Sequence, residues 1–412
     1  MQAAMLDRAI MRVADTTEVS GRVTTGSIKY GLYAKKQSSL WRIGGLSVFD
    51  LLLAFAVSLI TSGFVLSANA NERKITIITF EVPGAGTGAF EGTYGYAISS
   101  NGAITGPYAT SGNVNHGYVR ARDDSFITFD VPGASTGSGL GTIPESINPA
   151  GTIAGFYFDA NGLAHSFVRA RDGAITTFNV PGARQTFAYN INPAGVIAGI
   201  YGAGGVLHGF VRAPNGTITA FDAPGAGTAP GQGTFTANIE GGLNPAGAIA
   251  GFLVDASNVV RGYVRAPNGA ITTFDAPGAG TASGQGTQAF SINPAGTIAG
   301  AYADSASVLH GFVRAPNGAI TTFDVPGAGK GAFQGPQLLA INPAGTITGA
   351  YNDAAGVTHG FVRAPDGAIT TFDPPGASGL GTFPISITPA GAIVGFYFDG
   401  SNVGHGFLLE GE

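Results

Sequence analysis

From about residue 75 onward, short apolar segments recur between turn residues, with no helical period. One copy reads Leu339-Ala-Ile, the turn Asn342-Pro-Ala-Gly345, then Thr346-Ile-Thr-Gly-Ala-Tyr351. It continues with His359-Gly-Phe-Val-Arg363, the turn Pro365-Asp-Gly367, and Ala368-Ile-Thr-Thr-Phe372. Each segment is rich in β-branched and aromatic residues and bounded by Gly, Pro, Asn or Asp, so each predicts a strand. There are four per copy, named a, b, c and d in chain order. Pro316-Asn317-Gly318 supplies a proline at the first turn position and a glycine where a left-handed residue is needed, closing the c–d hairpin; Pro294-Ala295-Gly296 does the same between a and b. The segments do not alternate cleanly between polar and apolar, as expected of strands buried on both faces.

The phenylalanine that ends strand d marks the period: Phe80, Phe129, Phe178, Phe221, Phe274, Phe323 and Phe372, spaced by 49, 49, 43, 53, 49 and 49 residues. Periods of this size predict propeller blades or a solenoid. The ends decide between them. Ile75–Val82 is a d strand with no a, b or c before it, and His405–Leu409 is a c strand with no d after it. A solenoid would carry polar caps at both ends, whereas a ring uses the first strand to complete the last blade and leaves no free edge. The expectation is an all-β, seven-bladed β-propeller of four-stranded blades over residues 71–412, closed by the N-terminal strand.

Length varies almost entirely in the d-to-a connection. The distance from the anchor phenylalanine to the apolar residue before the next turn is 18 in the common case (Phe80 to Ile98), 13 in Phe178 to Ile191, 22 in Phe221 to Leu243 and 15 in Phe372 to Ile387. The rest of the repeat holds at 30 or 31. In a propeller the d–a and b–c connections share one face, and loops carry function because they change without disturbing the scaffold. Candidate ligand-binding residues on that face are Gln232, Asn238 and Glu240 in the longest loop, with Arg184, Gln185, Gln285, Lys330 and Gln334; Glu91 and Glu145 belong to the same loops. Strand b ends in a recurrent tyrosine (Tyr108, Tyr157, Tyr201, Tyr302, Tyr351, Tyr397), replaced by Leu253 in the fourth copy. These tyrosines read as packing residues between blades, or else as a sugar-stacking surface.

All six histidines occupy one repeat position, His116, His165, His208, His310, His359 and His405, and Arg261 takes it in the fourth copy. If the turn sets Ala315 opposite Ala319, His310 faces Asp324 across the c–d hairpin. The same register pairs His116 with Asp130, His208 with Asp222, Arg261 with Asp275, and His359 with Asp373. His165 then meets Asn179, and His405 meets Glu81 of the first strand. A second aspartate stands six residues earlier: Asp159, Asp255, Asp304, Asp353 and Asp399. Repetition argues against catalysis, and an arginine substituted while Asp275 stays fits a cross-strand charge pair better than a metal site. These residues are therefore read as structural pairs, with no catalytic residue, metal or cofactor assigned.

Composition sharpens this picture. Gly 67 and Pro 23 with only 11% charged residues suit a turn-rich β protein with an uncharged surface. The net charge of −5, without Lys/Arg clusters, argues against nucleic acid. The absence of cysteine excludes disulfides, thiolate zinc sites and cysteine nucleophiles. Residues 1–70 do not share the repeat. Lys35, Lys36 and Arg42 precede an apolar run at 46–66, and Ala68-Asn69-Ala70 follows. This is the pattern of an export signal, with an uncleaved signal anchor as the alternative. It implies an extracellular, cell-surface or periplasmic location, with membrane contact only through an uncleaved leader. The Gly-x-Gly strings do not join a strand to a helix, and no nucleophile elbow with triad partners occurs. The only tryptophan, Trp41, lies in the leader.

The phrase His-Gly-Phe-Val-Arg-Ala-Pro-(Asn/Asp)-Gly-Ala-Ile-Thr-Thr-Phe-Asp-Val-Pro-Gly-Ala resembles the repeat of the bacterial extracellular HAF-repeat proteins across about residues 75–409. That family has alanine after the histidine, where this chain has glycine or Ser166. The resemblance implies an exported, propeller-like repeat protein and supplies no catalytic residues. Three functions fit: a monomeric, non-catalytic scaffold binding an extracellular macromolecule or glycan through the d–a loop face; a polysaccharide lyase or hydrolase with one site at the fourth blade; or a passive envelope component.

Overall fold

The computed structural model describes residues 75–237 and 241–411. The leader, its apolar run at 46–66, and the loop residues Asn238 and Glu240 lie outside the described residues. The described chain is all-β, without a helix. The sixth copy shows the unit: Pro336–Ile341, Ile347–Asn352, Thr358–Arg363 and Ile369–Phe372 form one antiparallel four-stranded meander. The c–d turn has the expected register, with Ala315 N–H donating to the Ala319 carbonyl at 2.8 Å.

The d strands are the exposed outer edge. Their phenylalanine folds back over the glycine that follows the histidine, and a Cβ at Gly311 would stand 2.3 Å from the Phe323 ring. This contact accounts for glycine where the HAF phrase has alanine. In the second copy Ser166 pairs with Phe178 and donates its hydroxyl to the Thr186 carbonyl at 3.0 Å.

Neighbouring copies are joined by three recurrent devices. The first is a parallel bridge from strand c to the glycine that opens the next strand a, as between Val260 and Gly286. Gly286 has φ +119°, and a Cβ there would lie 1.9 Å from the Val260 carbonyl oxygen, so only glycine fits. The third copy has Gln185 instead. With the loop shortened, the Gln185 side-chain oxygen accepts from Ala164 N–H at 3.3 Å, the role played elsewhere by a backbone carbonyl such as that of Gln285.

The second device is the turn asparagine. Asn293 Oδ1 accepts from Thr297 N–H at 3.0 Å within its own turn, and Nδ2 donates to the Asn342 carbonyl of the next copy at 3.3 Å. The same link runs from Asn148 to Asn192, to Asn244, to Asn293, to Asn342 and on to Thr388. It stops there because threonine has no second donor arm. The third is an arginine at the end of strand c set over the anchor phenylalanine of the preceding copy: Arg169 over Phe129, Arg212 over Phe178, Arg265 over Phe221, Arg314 over Phe274 and Arg363 over Phe323, all within 4.7–4.9 Å of the ring centroid.

The first and last copies meet in the same ways. Ile75–Phe80 pairs antiparallel with Gly404–Gly411, from Ile75 opposite Gly411 to Phe80 opposite Gly406. Gly92 bridges Gly404, Ile98 N–H donates to Ser386 Oγ at 3.4 Å, and Tyr94 meets Phe396 edge-on at 5.1 Å. The core where the a strands converge collects Tyr94, Ile143, Phe187, Phe235 and Phe383 from five different copies.

Candidate functional site

Two sets of polar residues stand out, the histidine position and the d–a loops. The histidine lies between two neighbours in the sheet. On strand b the recurrent tyrosine is its register partner, and the two rings stack: Tyr302 on His310 at 5.0 Å, Tyr397 on His405 at 5.0 Å and Tyr201 on His208 at 4.9 Å. Toward strand d, Nδ1 lies beside an acid: His116 to Asp130 at 2.9 Å, His208 to Asp222 at 2.8 Å, His310 to Asp324 at 2.6 Å and His359 to Asp373 at 2.7 Å. His405 contacts Glu81 of the first strand, and His165 meets Asn179 at 3.1 Å.

The earlier aspartate approaches the opposite nitrogen at 3.3 Å for His165–Asp159 and 3.5 Å for His310–Asp304. Its main engagement is with its own loop. Asp304 Oδ1 accepts from Ala306 N–H at 2.8 Å and from Val308 N–H at 2.9 Å. Desolvation works against ionisation there, but the backbone donors and then His310 outweigh it and hold the carboxyl below its ordinary range. His310, His359 and His405 thus sit between acids on opposite sides, whereas His116, His165 and His208 have an acid on one side, and among the described residues no group of three His, Asp or Glu is placed to hold a metal ion.

The fourth copy explains itself through this ladder. Leu253 is the register partner of Arg261, so tyrosine and histidine are lost together. Arg261 reaches Asp275 at 2.6 Å and Asp255 at 3.4 Å. The arginine on which a fourth-copy enzyme site would depend is engaged by both carboxylates. Of the recurrent tyrosines, Tyr108, Tyr302, Tyr351 and Tyr397 are buried and Tyr157 and Tyr201 are half-buried, as packing residues are.

In the d–a loops the amides turn inward. Gln232 Oε1 accepts from Ala229 N–H at 3.1 Å, while Nε2 donates to Asn258 Oδ1 at 2.9 Å. Gln285 repeats this with Ala282 and Ser307, and Gln334 with Gly331 and, at 3.5 Å, Ala354. Glu91 holds the equivalent place, accepting from Gly88 and Gly112. These side chains fasten the d–a loop to the b–c loop of the copy that it leads into. Arg184 and Lys330 are exposed, and Gln185 is buried at the start of its strand. Glu145, read from sequence as a loop residue, lies inside strand Thr142–Ile147 and is buried.

What the loops do present is aromatic. Phe90 and Phe333 stand one residue before Glu91 and Gln334, where other copies have Gly139, Gly231 and Gly284, all with positive φ. The two phenylalanines keep that left-handed backbone, at φ +66° and +58°, and Phe333 is 57% exposed. Their N–H groups donate to the preceding b–c loop, Phe90 to Asn402 at 2.8 Å and Phe333 to Ser307 at 2.7 Å. The sequence signal was available: phenylalanine replaces glycine in a loop rich in glycine and alanine.

No protein-family model matches the chain, and no curated protein matches it either. Solved structures do share the fold. A virginiamycin B lyase from Staphylococcus aureus is similar at TM-score 0.54 and 14% identity, covering 82% of this chain and 100% of that one. A structure from a study of two prolyl endopeptidases matches at TM-score 0.52 and 11% identity, covering 78% of this chain and 51% of the other. The β-propeller domain of the trilobed protease from Pyrococcus furiosus matches at TM-score 0.48 and 11% identity, over 78% and 94%. The chain is thus an all-β protein with β-propeller neighbours. At such identities the likeness concerns the fold alone.

Proposed function

We propose that this chain is an exported, monomeric, seven-bladed β-propeller of the HAF-repeat kind that binds an extracellular glycan through its d–a loop face. The ring reading is supported by the pairing of Ile75–Phe80 with Gly404–Gly411 and by the bridge from Gly92 to Gly404, which repeats the joint between other neighbouring copies. Export rests on the basic stretch, the apolar run at 46–66 and Ala68-Asn69-Ala70.

The observation that carries the binding function is Phe333. A solvent-exposed aromatic ring held on a left-handed backbone costs stability, roughly 1–2 kcal/mol against glycine, and such strain gathers at functional positions. An exposed ring three residues after the exposed Lys330 in the same loop offers a stacking face and a cation, which suits a sugar carrying hydroxyl or acidic groups. No cofactor is involved. The test is an array of extracellular glycans probed with the purified protein and with Phe333→Gly, with and without calcium. Selective binding lost in the variant supports the reading. Binding that the variant retains, or a blank array, turns the assignment toward a protein partner or a passive envelope role.

A further inference from the structure

The residue four places after the one that opens strand a (glycine in six copies, Gln185 in the third) differs in nearly every copy. In order it is Tyr96, Glu145, Tyr189, Ala237, Phe290, Leu339 and Ile385, all buried. Five of these fall at a break in the a–b register: between Pro144 and Ser146, Ala188 and Asn190, Ala289 and Ser291, Gln337 and Ala340, and Pro384 and Ser386. A bulge drops its residue from the ladder and re-aims the side chain, and bulges gather beside functional sites. Uniform packing would favour one residue type at such a place.

Glu145 is 7% exposed, and its neighbours at this position, Tyr96 and Tyr189, are 5% and 4% exposed. The Glu145 charge acts on both phenols. Around them lie Ile143, Phe156 and Phe187, with Phe156 at 6.2 Å from Tyr189 and 5.1 Å from Phe187. Among the described residues no hydrogen bond or ion pair reaches the Glu145 carboxyl or either hydroxyl. A carboxyl held in an apolar surrounding without a protein partner is destabilising, and it is retained where a ligand supplies the partner. Burial pushes the carboxyl well above its ordinary range.

We propose that Glu145, Tyr96 and Tyr189 form a binding site for a small organic ammonium ion. An ammonium group donates to the carboxylate and the phenol oxygens, gains from the ring faces, and places its carbon skeleton against Phe156 and Phe187. Neither a neutral sugar nor an anion answers a buried carboxylate in this way. The site stands apart from the loop face and does not depend on the function proposed there.

The test is calorimetric titration of the full chain with benzylammonium chloride, with benzyl alcohol as the neutral probe of the same shape. The expected result is saturable 1:1 binding of benzylammonium, at least about tenfold tighter than benzyl alcohol. Glu145→Gln keeps the shape and removes the charge, so it should abolish that preference. No saturable binding of benzylammonium, or equal binding by Glu145→Gln, overturns the site. If Glu145→Gln does not fold by circular dichroism, Tyr189→Phe decides: a several-fold weaker affinity supports the proposal and an unchanged one overturns it.

Discussion

The guanidinium of Arg314 lies over the ring of Phe274, 4.8 Å from its centroid, and so ties strand c of one copy to strand d of the copy before it. The Nε of Arg314 is sealed without a hydrogen-bond acceptor, as are those of Arg120, Arg169, Arg212, Arg265 and Arg363. The ring face is what meets that cation. Arg314→Gln should lower stability by about 1–2 kcal/mol, and a double-mutant cycle with Phe274→Leu should show coupling of about 1 kcal/mol. Urea denaturation measures both.

Glycine substitutions should separate backbone strain from collision. At Gly112, with φ +90° and open space around it, alanine meets only the conformational cost of about 1 kcal/mol. At Gly286 the same methyl would collide with the Val260 carbonyl and break the joint between copies. Gly286→Ala should cost at least about 3 kcal/mol or prevent folding. Thermal unfolding of the two variants side by side checks the contrast.

Phe333→Gly should leave the fold as stable as before or raise its stability by up to about 1 kcal/mol, because glycine accepts the φ of +58° without penalty. Under the proposed function it should also remove binding. A stabilised, inactive variant would separate the two roles of this loop position.

Glu145 gives a pH dependence of definite sign. Its carboxyl is raised well above the ordinary 4.5 by burial, so between that value and its folded pKa the native state holds a proton that the unfolded chain has lost. Stability should therefore fall as pH rises above about 4.5, by at most about 1.4 kcal/mol per pH unit. Glu145→Gln should flatten that slope, as read from denaturation midpoints across the acid range.

His359 shifts stability in the same direction for the opposite reason, because here the charged form is the favoured one. Burial pulls its pKa down, but the hydrogen bond and charge of Asp373, followed by those of Asp353, outweigh it and leave it above 6.5. Its stabilising contribution is complete below 6.5 and is lost as pH rises through the raised value. The groups are partly exposed, so the energy is small. NMR titration of the ring should give a midpoint above 6.5 that returns toward 6.5 in Asp373→Asn.

Much of this was legible in the sequence because the repeat acts as its own control. The c–d register followed from Pro316-Asn317-Gly318, and with it the contacts of His310 with Asp324 and of His405 with Glu81. The engagement of the loop amides was not legible, because composition alone cannot tell a free glutamine from one such as Gln232, whose amide bonds neighbouring backbone and Asn258. Glu145 was hidden by the length of the d–a connection. Its position only becomes clear once the opening glycine, with its carbonyl contact at the preceding c strand, fixes where strand a begins. The stacking of tyrosine on histidine was signalled by Leu253 and Arg261 changing in the same copy, but connecting them needed the b–c register.

The pairing of Ile75–Phe80 with Gly404–Gly411 also sets an order of events. Glu81 and His405 are 324 residues apart, and the partner of the earliest described strand is the last to be made. Closing so long a loop adds little to the equilibrium cost, about 0.6 kcal/mol for each doubling of length, but it defers the contact until nearly the whole chain is present. The copies between can join neighbour to neighbour as they emerge. The outer edge of Gly404–Gly411 stays open until Ile75–Phe80 pairs with it, so this seam is where strand exchange between two chains would begin.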